Sequence, residues 1–147
     1  MSLEKNKAII RKMIEAINEQ NLASLDELMT PDFVLHMHAQ QMLGLKVNKQ
    51  VIEDEIKAFP DLHVIIEDII AEGDKVWVRF KETATHTGEY RGLAPTGSKL
   101  SYMVVAIWRI VDGKCVEGWI VYNQMDFLKQ LGVIEYTEKG KTLFPEK

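Results

Sequence analysis

The stretch KCVEGWIVYNQMDFLKQLG, from Lys114 to Gly132, determines the fold predicted for this chain. Its first nine residues are apolar enough to form a β-strand, and from Gln124 onward the apolar residues recur at helical spacing. Gly132 stands where the C-terminal cap of that helix belongs. Because the strand passes directly into the helix, we expect the junction residue, Asn123, at the rim or floor of the cavity that the sheet encloses.

Alternation along this strand predicts which side chains line that cavity, because successive side chains point to opposite faces of a sheet. One face combines a carboxylate, an indole and an amide, and it carries Glu117, Trp119, Val121 and Asn123. We predict that this face is the pocket wall. The opposite face carries Val116, Gly118, Ile120 and Tyr122. Cys115, the only cysteine, is expected to be a small core residue.

Length and composition predict one ordinary globular domain over residues 1–147, with 134–147 as an exposed C-terminal extension. The chain is 46% hydrophobic and 27% charged. A net charge of −4 without a basic cluster argues against nucleic acid as a partner. The longest strongly apolar run, 102–108, is too short to cross a membrane. The N-terminus has no apolar signal segment, and we expect a cytoplasmic protein.

Apolar stripes predict three helices in the first sixty residues. Ser2 is the expected N-cap of the first helix, which is followed by a short second helix that ends before Pro31. Asn48 is the expected cap of the third, which stops at Pro60 and in which Glu55 is expected to face solvent. The stripes themselves consist of Ile10, Met13, Ile14 and Ile17, then Leu22, Leu25, Leu28 and Met29, then Ile52, Ile56 and Phe59.

The sequence predicts five strands, most of them in the second half of the chain. A short strand over 32–39 precedes the third helix, and four strands follow it, over 62–71, 75–85, 100–111 and 114–122. Asp112-Gly113 is the strongest hairpin signal. Helices followed by a strand meander indicate an α+β fold, in which helices pack on one face of a curved antiparallel sheet.

The sheet face opposite the predicted pocket wall is also apolar, and it suggests a homodimer. It carries Val104, Ala106, Trp108, Ile110, Ile120 and Tyr122. An exposed apolar face of this size is typical of a protein–protein interface, so we predict pairing of two copies through their sheets. The alternative is that the C-terminal extension or the third helix covers this face.

A set of short motifs resembles the SnoaL-like polyketide cyclase family of the nuclear-transport-factor-2-like superfamily. In chain order they are Phe59-Pro60-Asp61-Leu62-His63, 71–76 (AEGDKV), Thr85-His86-Thr87-Gly88, Pro95-Thr96-Gly97, Trp108-Arg109-Ile110, Asp112-Gly113-Lys114, Val116-Glu117-x-Trp119 and Gln130-Leu131-Gly132. The resemblance extends over 6–133. It implies a cone-shaped, barrel-like domain with an apolar pocket, commonly a dimer, and an intramolecular aldol cyclisation without metal or organic cofactor.

Such a cyclisation needs a base for a proton next to a carbonyl and donors for the resulting oxyanion. In the family the base is an aspartate four residues after the Trp of the Glu-x-Trp motif, and here that position is Asn123. An amide donates and accepts hydrogen bonds but does not take up a proton at neutral pH. Asn123 is therefore predicted to bind an oxyanion or a substrate hydroxyl, and the base must lie elsewhere.

Two other residues are candidates for acid–base catalysis. His86 shares a strand face with Val78 and Phe80, and histidine titrates near neutrality; the alternative is a histidine that is hydrogen-bonded to the loop backbone. Asp126 follows Asn123 by about one helical turn, although an acid at this place also suits a helix N-terminus.

Several residues are predicted to line the substrate pocket: His36, His38, Trp119, Glu117, Phe59 and Met103. His36 and His38 point the same way along a strand and could hold a metal with a third ligand. No suitably spaced third ligand follows them, so lining of the pocket mouth is the preferred interpretation.

Two functions from different classes remain open. The first is a cofactor-independent enzyme acting on an apolar, enolisable small molecule, by polyketide cyclisation or related isomerase or hydratase chemistry. The second is a small-molecule-binding protein of the same fold without turnover. The two functions differ in one requirement. The enzyme needs another base in the pocket, because Asn123 occupies the position of the family's aspartate.

Overall fold

The first two helices of the computed structural model, which describes residues 2–145, lie close to the predicted signals. The first helix, α1, covers Leu3–Asn18, and its N-cap Ser2 accepts a hydrogen bond from the Lys5 N–H, as predicted. A 3-10 turn at Leu22–Ser24 leads into the short helix α2. The other helices are α2 (Leu25–Leu28), α3 (Leu45–Ala58), α4 (Gln124–Leu131) and α5 (Glu138–Leu143).

The cap predicted for the third helix is wrong. Helix α3 begins at Leu45, its N-cap is Gly44, and Asn48 lies inside the first turn. The Asn48 side chain is buried and donates hydrogen bonds to the carbonyls of Met42 and Gly44, at 3.2 and 2.8 Å. It ties the helix to the preceding strand, which is why the helix starts earlier than the Asn signal suggests.

Six strands form one curved sheet that does not close, with the order β2-β1-β6-β5-β4-β3. The strands are β1 (Met29–Met37), β2 (Gln40–Leu43), β3 (His63–Glu72), β4 (Lys75–Thr85), β5 (Lys99–Val111) and β6 (Lys114–Tyr122). All neighbours are antiparallel except β1 and β6, which run parallel. Asp112 and Gly113 both have positive φ, as the tight hairpin between β5 and β6 requires. The α+β fold class is confirmed.

Helices α1 and α3 cover what we call the inner face of the sheet. The inner-face residues of β4 and β5 are buried: Val76, Val78, Phe80, Val104, Ala106, Trp108 and Ile110. They pack with Ile10, Met13 and Ile14 of α1 in the main core. The prediction that Val104, Ala106, Trp108, Ile110, Ile120 and Tyr122 form a dimer surface is therefore wrong, because this face is the interior of the fold.

The segment predicted as an exposed extension contains helix α5, none of whose residues is buried. It is held together locally by Tyr136, whose ring stacks on Phe144 with 5.2 Å between centroids. Within residues 2–145, no helix combines the length and apolar character that crossing a membrane would need.

Candidate functional site

A cavity lies between the inner face of the sheet and helices α1 and α3, and it has two adjoining lobes. The deep lobe has a volume of about 130 Å³, and its lining is mostly apolar side chains. The smaller tyrosine lobe, of about 80 Å³, is lined by Tyr90, Tyr102 and Tyr122 together with Phe59 and Phe127. Five residues line both lobes: Met37, Glu55, Leu62, Glu82 and Ile120. Two carboxyl groups thus lie where an apolar chamber meets a more polar one.

Glu82 and Tyr102 occupy directly opposed positions on β4 and β5, both on the inner face. The Tyr102 hydroxyl donates a hydrogen bond to Glu82 Oε2 over 2.5 Å. Burial raises the pKa of the Glu82 carboxyl, and the hydrogen bond from Tyr102 opposes that rise because it stabilises the ionised form. Burial, and then the charge of Glu82, raise the pKa of the Tyr102 phenol, which stays protonated as a donor.

Glu55 is the second carboxyl group, and it comes from helix α3. Burial and then the nearby charge of Glu82 raise its pKa to about 7, while the positive charge of Arg91 acts in the opposite direction. Glu55 also borders a surface depression next to Tyr90 and Arg91, where the Arg91 guanidinium lies 5.2 Å above the Tyr90 ring. The cavity therefore reaches the surface at Glu55.

The expectation that Glu55 faces solvent is wrong. Helical spacing places it on the same stripe as Ile52, Ile56 and Phe59, which is the stripe that packs against the sheet. Its neighbours Glu53 and Asp54 are exposed. The sequence did contain a signal, because Glu55 lies on the apolar stripe of its helix. Its acidic neighbours made it resemble one more solvent-exposed residue.

Glu82 could have been found by alternation. The pattern that groups His86 with Val78 and Phe80 also places Glu82 on their face. Tyr102 and Tyr122 lie on the inner face as well and line the tyrosine lobe. Burial raises the pKa of Tyr122 to about 12, so it too remains a hydrogen-bond donor at neutral pH.

His86 is fully buried, and its ring contacts those of Phe59 and Tyr90, with 5.3 and 6.4 Å between centroids. Its Nδ1 accepts a hydrogen bond from the Thr96 backbone N–H at 3.1 Å and lies 2.9 Å from the Thr96 hydroxyl. Its Nε2 has no partner among residues 2–145. The structure thus ties His86 to the loop backbone, and the two rings that it contacts line the tyrosine lobe while His86 itself does not.

Asn123 and Asp126 form the N-terminus of α4. Asn123 is exposed, and its Oδ1 accepts the Asp126 N–H at 3.0 Å as the helix N-cap. Asp126 accepts a hydrogen bond from Gln130 Nε2 at 2.8 Å. The prediction that the face with Trp119 and Asn123 is the pocket wall is wrong, because neither residue borders either lobe, and His86 does not border one either.

The two faces of β6 are reversed relative to the prediction. Gly118, Ile120 and Tyr122 face the interior, whereas Glu117, Trp119 and Val121 lie on the outer face. The reason is packing around Gly118, where an added Cβ would lie 2.5 Å from Trp108 Cε3 and Cζ3. The glycine gives the Trp108 ring its place in the core, and this contact sets the orientation of the whole strand.

Four of the predicted pocket residues lie on that outer face. His36 Nε2 donates to Glu117 Oε2 at 2.8 Å, and its ring stacks on Trp119 with 5.2 Å between centroids. Arg109 Nε donates to the other Glu117 oxygen at 3.1 Å. Met103 is 54% exposed on the neighbouring strand. The prediction that these side chains line the pocket is wrong, for the same reason of reversed faces.

The two remaining predicted pocket residues lie near the tyrosine lobe. Phe59 lines it directly. His38 has a positive φ in the turn after β1, and its ring meets Tyr122 edge-on at 4.9 Å. His36 and His38 thus point in different directions. In the part of the chain that the structure describes, no three His, Cys, Asp or Glu side chains form a metal-binding group.

Comparisons with known proteins agree with this architecture. The sequence matches the family described as SnoaL-like polyketide cyclase over residues 7–131. A search among curated proteins gave no match.

Among solved structures, AclR of Streptomyces galilaeus, a candidate hydroxylase, is 36% identical, with a TM-score of 0.82 over 91% of this chain and 100% of that one. IdmH of Streptomyces antibioticus, a candidate polyketide cyclase, is 31% identical, with a TM-score of 0.75 over 87% and 99%. A candidate SnoaL-like cyclase from Jannaschia sp. CCS1 shares the fold at 20% identity, with a TM-score of 0.83 over 90% and 95%. This chain therefore belongs to the SnoaL-like polyketide cyclase family.

Proposed function

We propose that this protein is a cofactor-independent enzyme that moves protons on an apolar, enolisable small molecule, by polyketide cyclisation or related isomerase or hydratase chemistry. The observation that carries the proposal is the pair of carboxyl groups, Glu55 and Glu82, at the junction of the two lobes. Carboxyl groups whose pKa burial has raised are suited to exchange protons near neutral pH.

The two carboxyl groups take complementary roles. Glu82 accepts the Tyr102 hydrogen bond, which favours its ionised form, and its charge helps to keep the proton on Glu55. Glu82 is thus the base that removes a proton from the carbon next to a carbonyl. Glu55 is the acid that donates a proton to the oxygen on which negative charge develops. The surrounding apolar walls strengthen both interactions.

The base proposed here replaces the aspartate that the family motif leads one to expect at Asn123. An amide that caps a helix at the surface is poorly placed for the reaction, whereas Glu82 borders both lobes. The acid–base role suggested for His86 remains an alternative prediction. The same experiment distinguishes it from Glu82.

The experiment follows exchange of the α-hydrogens of phenylacetone, a compact apolar ketone, for deuterium in D₂O by proton NMR. The wild type is expected to accelerate the exchange, and Glu82→Gln and Glu55→Gln to lower the rate by about 10²–10⁴-fold, the effect of a positioned acid or base. Glu67→Gln, an exposed glutamate of β3, is the matched control. A loss confined to His86→Gln would move the base to His86. A wild type that binds the ketone without accelerating exchange would be a binding protein.

We also propose that two copies pair through the outer face of the sheet. Three large apolar side chains are exposed there on neighbouring strands, Trp77 at 44%, Met103 at 54% and Val121 at 69%. The outer-face arginines are already paired, Arg79 with Glu67 and Arg109 with Glu117. A second copy of the same face could therefore cover the apolar surface while both arginines stay paired.

A further inference from the structure

The space inside the fold is small for a substrate pocket. The deep lobe measures about 130 Å³ and the tyrosine lobe about 80 Å³. A cavity of about 150 Å³ holds one benzene ring, and pockets for drug-sized ligands measure about 300–1,000 Å³. The two lobes together therefore have room for one ring with a short side chain, but not for a fused-ring skeleton.

A larger space lies just outside. The surface depression beside Glu55 has a volume of about 450 Å³, and its walls come from α3 and from residues 89–91. Two of the described residues, Glu55 and Tyr90, line both this depression and the tyrosine lobe, so they belong to the wall that the two spaces share. Glu55 is the proposed acid. Tyr90 is the part of the shared wall without a proposed role in proton transfer.

The ring of Tyr90 contacts residues of both spaces. Phe59 and Phe127 line the tyrosine lobe, and their rings lie 5.3 and 6.1 Å from that of Tyr90, measured between centroids. Arg91 lines the depression, and its guanidinium lies 5.2 Å from the Tyr90 centroid. Aromatic and cation–π contacts both favour the position that the ring occupies. These contacts hold the Tyr90 ring in the shared wall.

The backbone of Tyr90 is fixed by a two-residue turn. Tyr90 and Leu93 exchange both backbone hydrogen bonds, at 2.9 and 2.8 Å. The two residues between them, Arg91 and Gly92, have φ of 48° and 86°, the signs that a type I′ turn requires. The backbone of Tyr90 therefore does not move away from the wall without breaking both hydrogen bonds.

The loop that carries Tyr90 is anchored to the end of α3. The N–H groups of Thr87 and Gly88 both donate to the Ala58 carbonyl, at 3.1 and 3.0 Å. A Cβ added at Gly88 would overlap the Lys57 carbonyl oxygen, so the loop approaches the helix more closely than a larger residue would allow. Tyr90 is thus attached, through its loop, to the helix that carries Glu55.

We propose that Tyr90 sets the upper size limit of the substrate and restricts the pocket to compounds built on one ring with a short carbonyl side chain. The inference rests on the proposed function in taking the two lobes as the substrate pocket, and it adds a size class and the residue that enforces it. A compound with a second fused ring needs the space that the Tyr90 ring fills. With a smaller side chain at position 90, the tyrosine lobe opens into the depression, and the second ring extends there beside Val51 of α3.

The test compares phenylacetone with its naphthalene analogue, 1-(2-naphthyl)propan-2-one, by NMR titration. In the wild type we expect the naphthyl ketone to bind no more tightly than phenylacetone, although its larger apolar surface would favour it in an open site. In Tyr90→Ala the ratio of naphthyl Kd to phenyl Kd should fall about tenfold or more, the discrimination that an apolar pocket makes over small differences in ligand size.

Two further variants of Tyr90 and one control complete the test. Tyr90→Phe keeps the ring without the hydroxyl and should keep the wild-type ratio. Tyr90→Leu retains an apolar side chain that can pack in the wall, and it should lower the ratio by less than Tyr90→Ala. Tyr136→Ala, in the tail outside the cavity, is the matched control and should leave the ratio unchanged. The proposal is overturned by an unchanged ratio in both Tyr90→Ala and Tyr90→Leu, or by a wild type that binds the naphthyl ketone about tenfold more tightly than phenylacetone.

The outcome is separable from that of the exchange assay, because a ratio of Kd values needs no turnover. If exchange is absent from the wild type while Tyr90→Ala lowers the ratio, only the catalytic proposal fails. If exchange is present and the ratio stays the same, only the size limit fails. If neither ketone binds the wild type, both proposals fail.

Discussion

Tyr102 donates a hydrogen bond of 2.5 Å to Glu82 from the directly opposed position on the neighbouring strand. The pairing fixes the carboxyl group on the inner face and supports its ionised form against the burial that disfavours it. In the proposed mechanism, Glu82 is thus buried and still acts as the base. The first prediction follows from removing this one donor.

Tyr102→Phe should raise the pKa of Glu82 further, because the opposing hydrogen bond is lost. The acidic limb of the pH–rate profile for deuterium exchange should therefore move to higher pH. Tyr136→Phe, in the tail outside the cavity, is the control. An unshifted profile in Tyr102→Phe would mean that Glu82 is not the titrating base.

Glu55 should make the protein less stable as the pH rises. Its pKa of about 7 lies above the ordinary value of 4.5, so the folded state holds this proton more tightly than the unfolded state. The contribution is complete below about pH 4.5 and is lost as the pH rises through about 7. Relative to Glu55→Gln, the wild type should lose roughly 1–3 kcal/mol of unfolding free energy over this window in urea titrations. Parallel curves for the two proteins would contradict the assignment.

Glu117 should show the opposite dependence. The hydrogen bond from His36, and then that from Arg109, lower its pKa, so its stabilising effect is present above the ordinary value of 4.5 and is lost as the pH falls. Between pH 6 and pH 3 the wild type should lose about 0.5–1 kcal/mol more than Glu117→Gln, as expected for a partly exposed pair. Glu67 is the more exposed partner of Arg79, and Glu67→Gln is the control. The difference in pH dependence between this variant and the wild type should be smaller than the difference for Glu117→Gln.

Gly118→Ala should destabilise the fold through the Trp108 ring. The new Cβ would lie 2.5 Å from two ring carbons, and a ring packed in the core has little room to move. We expect a loss of about 1–3 kcal/mol in denaturant unfolding, the usual cost of overpacking. In a Trp108→Leu background the same substitution should cost markedly less, and equal costs in both backgrounds would refute the contact.

Val121→Glu should separate the proposed dimer. Val121 is 69% exposed on the outer face, and a carboxylate there would be buried without a partner on pairing. Sedimentation of the wild type should give twice the mass of the variant. Val133→Glu, an exposed valine after α4, is the control and should keep the wild-type mass.

The sequence was sufficient for the four strands after α3, but it missed β2 and did not determine which way the strands face. The bounds of β4 and β6 agree with the prediction, because hairpin signals and apolar runs are local properties. The face of β6 was reversed, since both of its faces carry apolar residues and alternation alone does not rank them. The deciding fact, contact between Gly118 and Trp108, joins two strands and is a property of the folded chain.

The site was missed for a related reason. Glu55 lies in a run of three acidic residues, two of which are exposed, and only its place on the helix stripe separates it from them. The family motif directed attention to Asn123, where the usual acid is absent. The fold instead places carboxyl groups in the cavity from β4 and α3, two elements outside the motif.

The parallel pairing of β1 with β6 has a consequence for synthesis of the chain. Residues near 35 pair with residues near 118, so the middle of the sheet forms only after both segments have been synthesised. The ribosome has then made most of the protein. Contacts between such distant segments are slow to form. The nascent chain, in which β1 has only its neighbour β2 to pair with, therefore carries one open edge of its first strand through most of translation, and this is the interval in which a chaperone would be of most use.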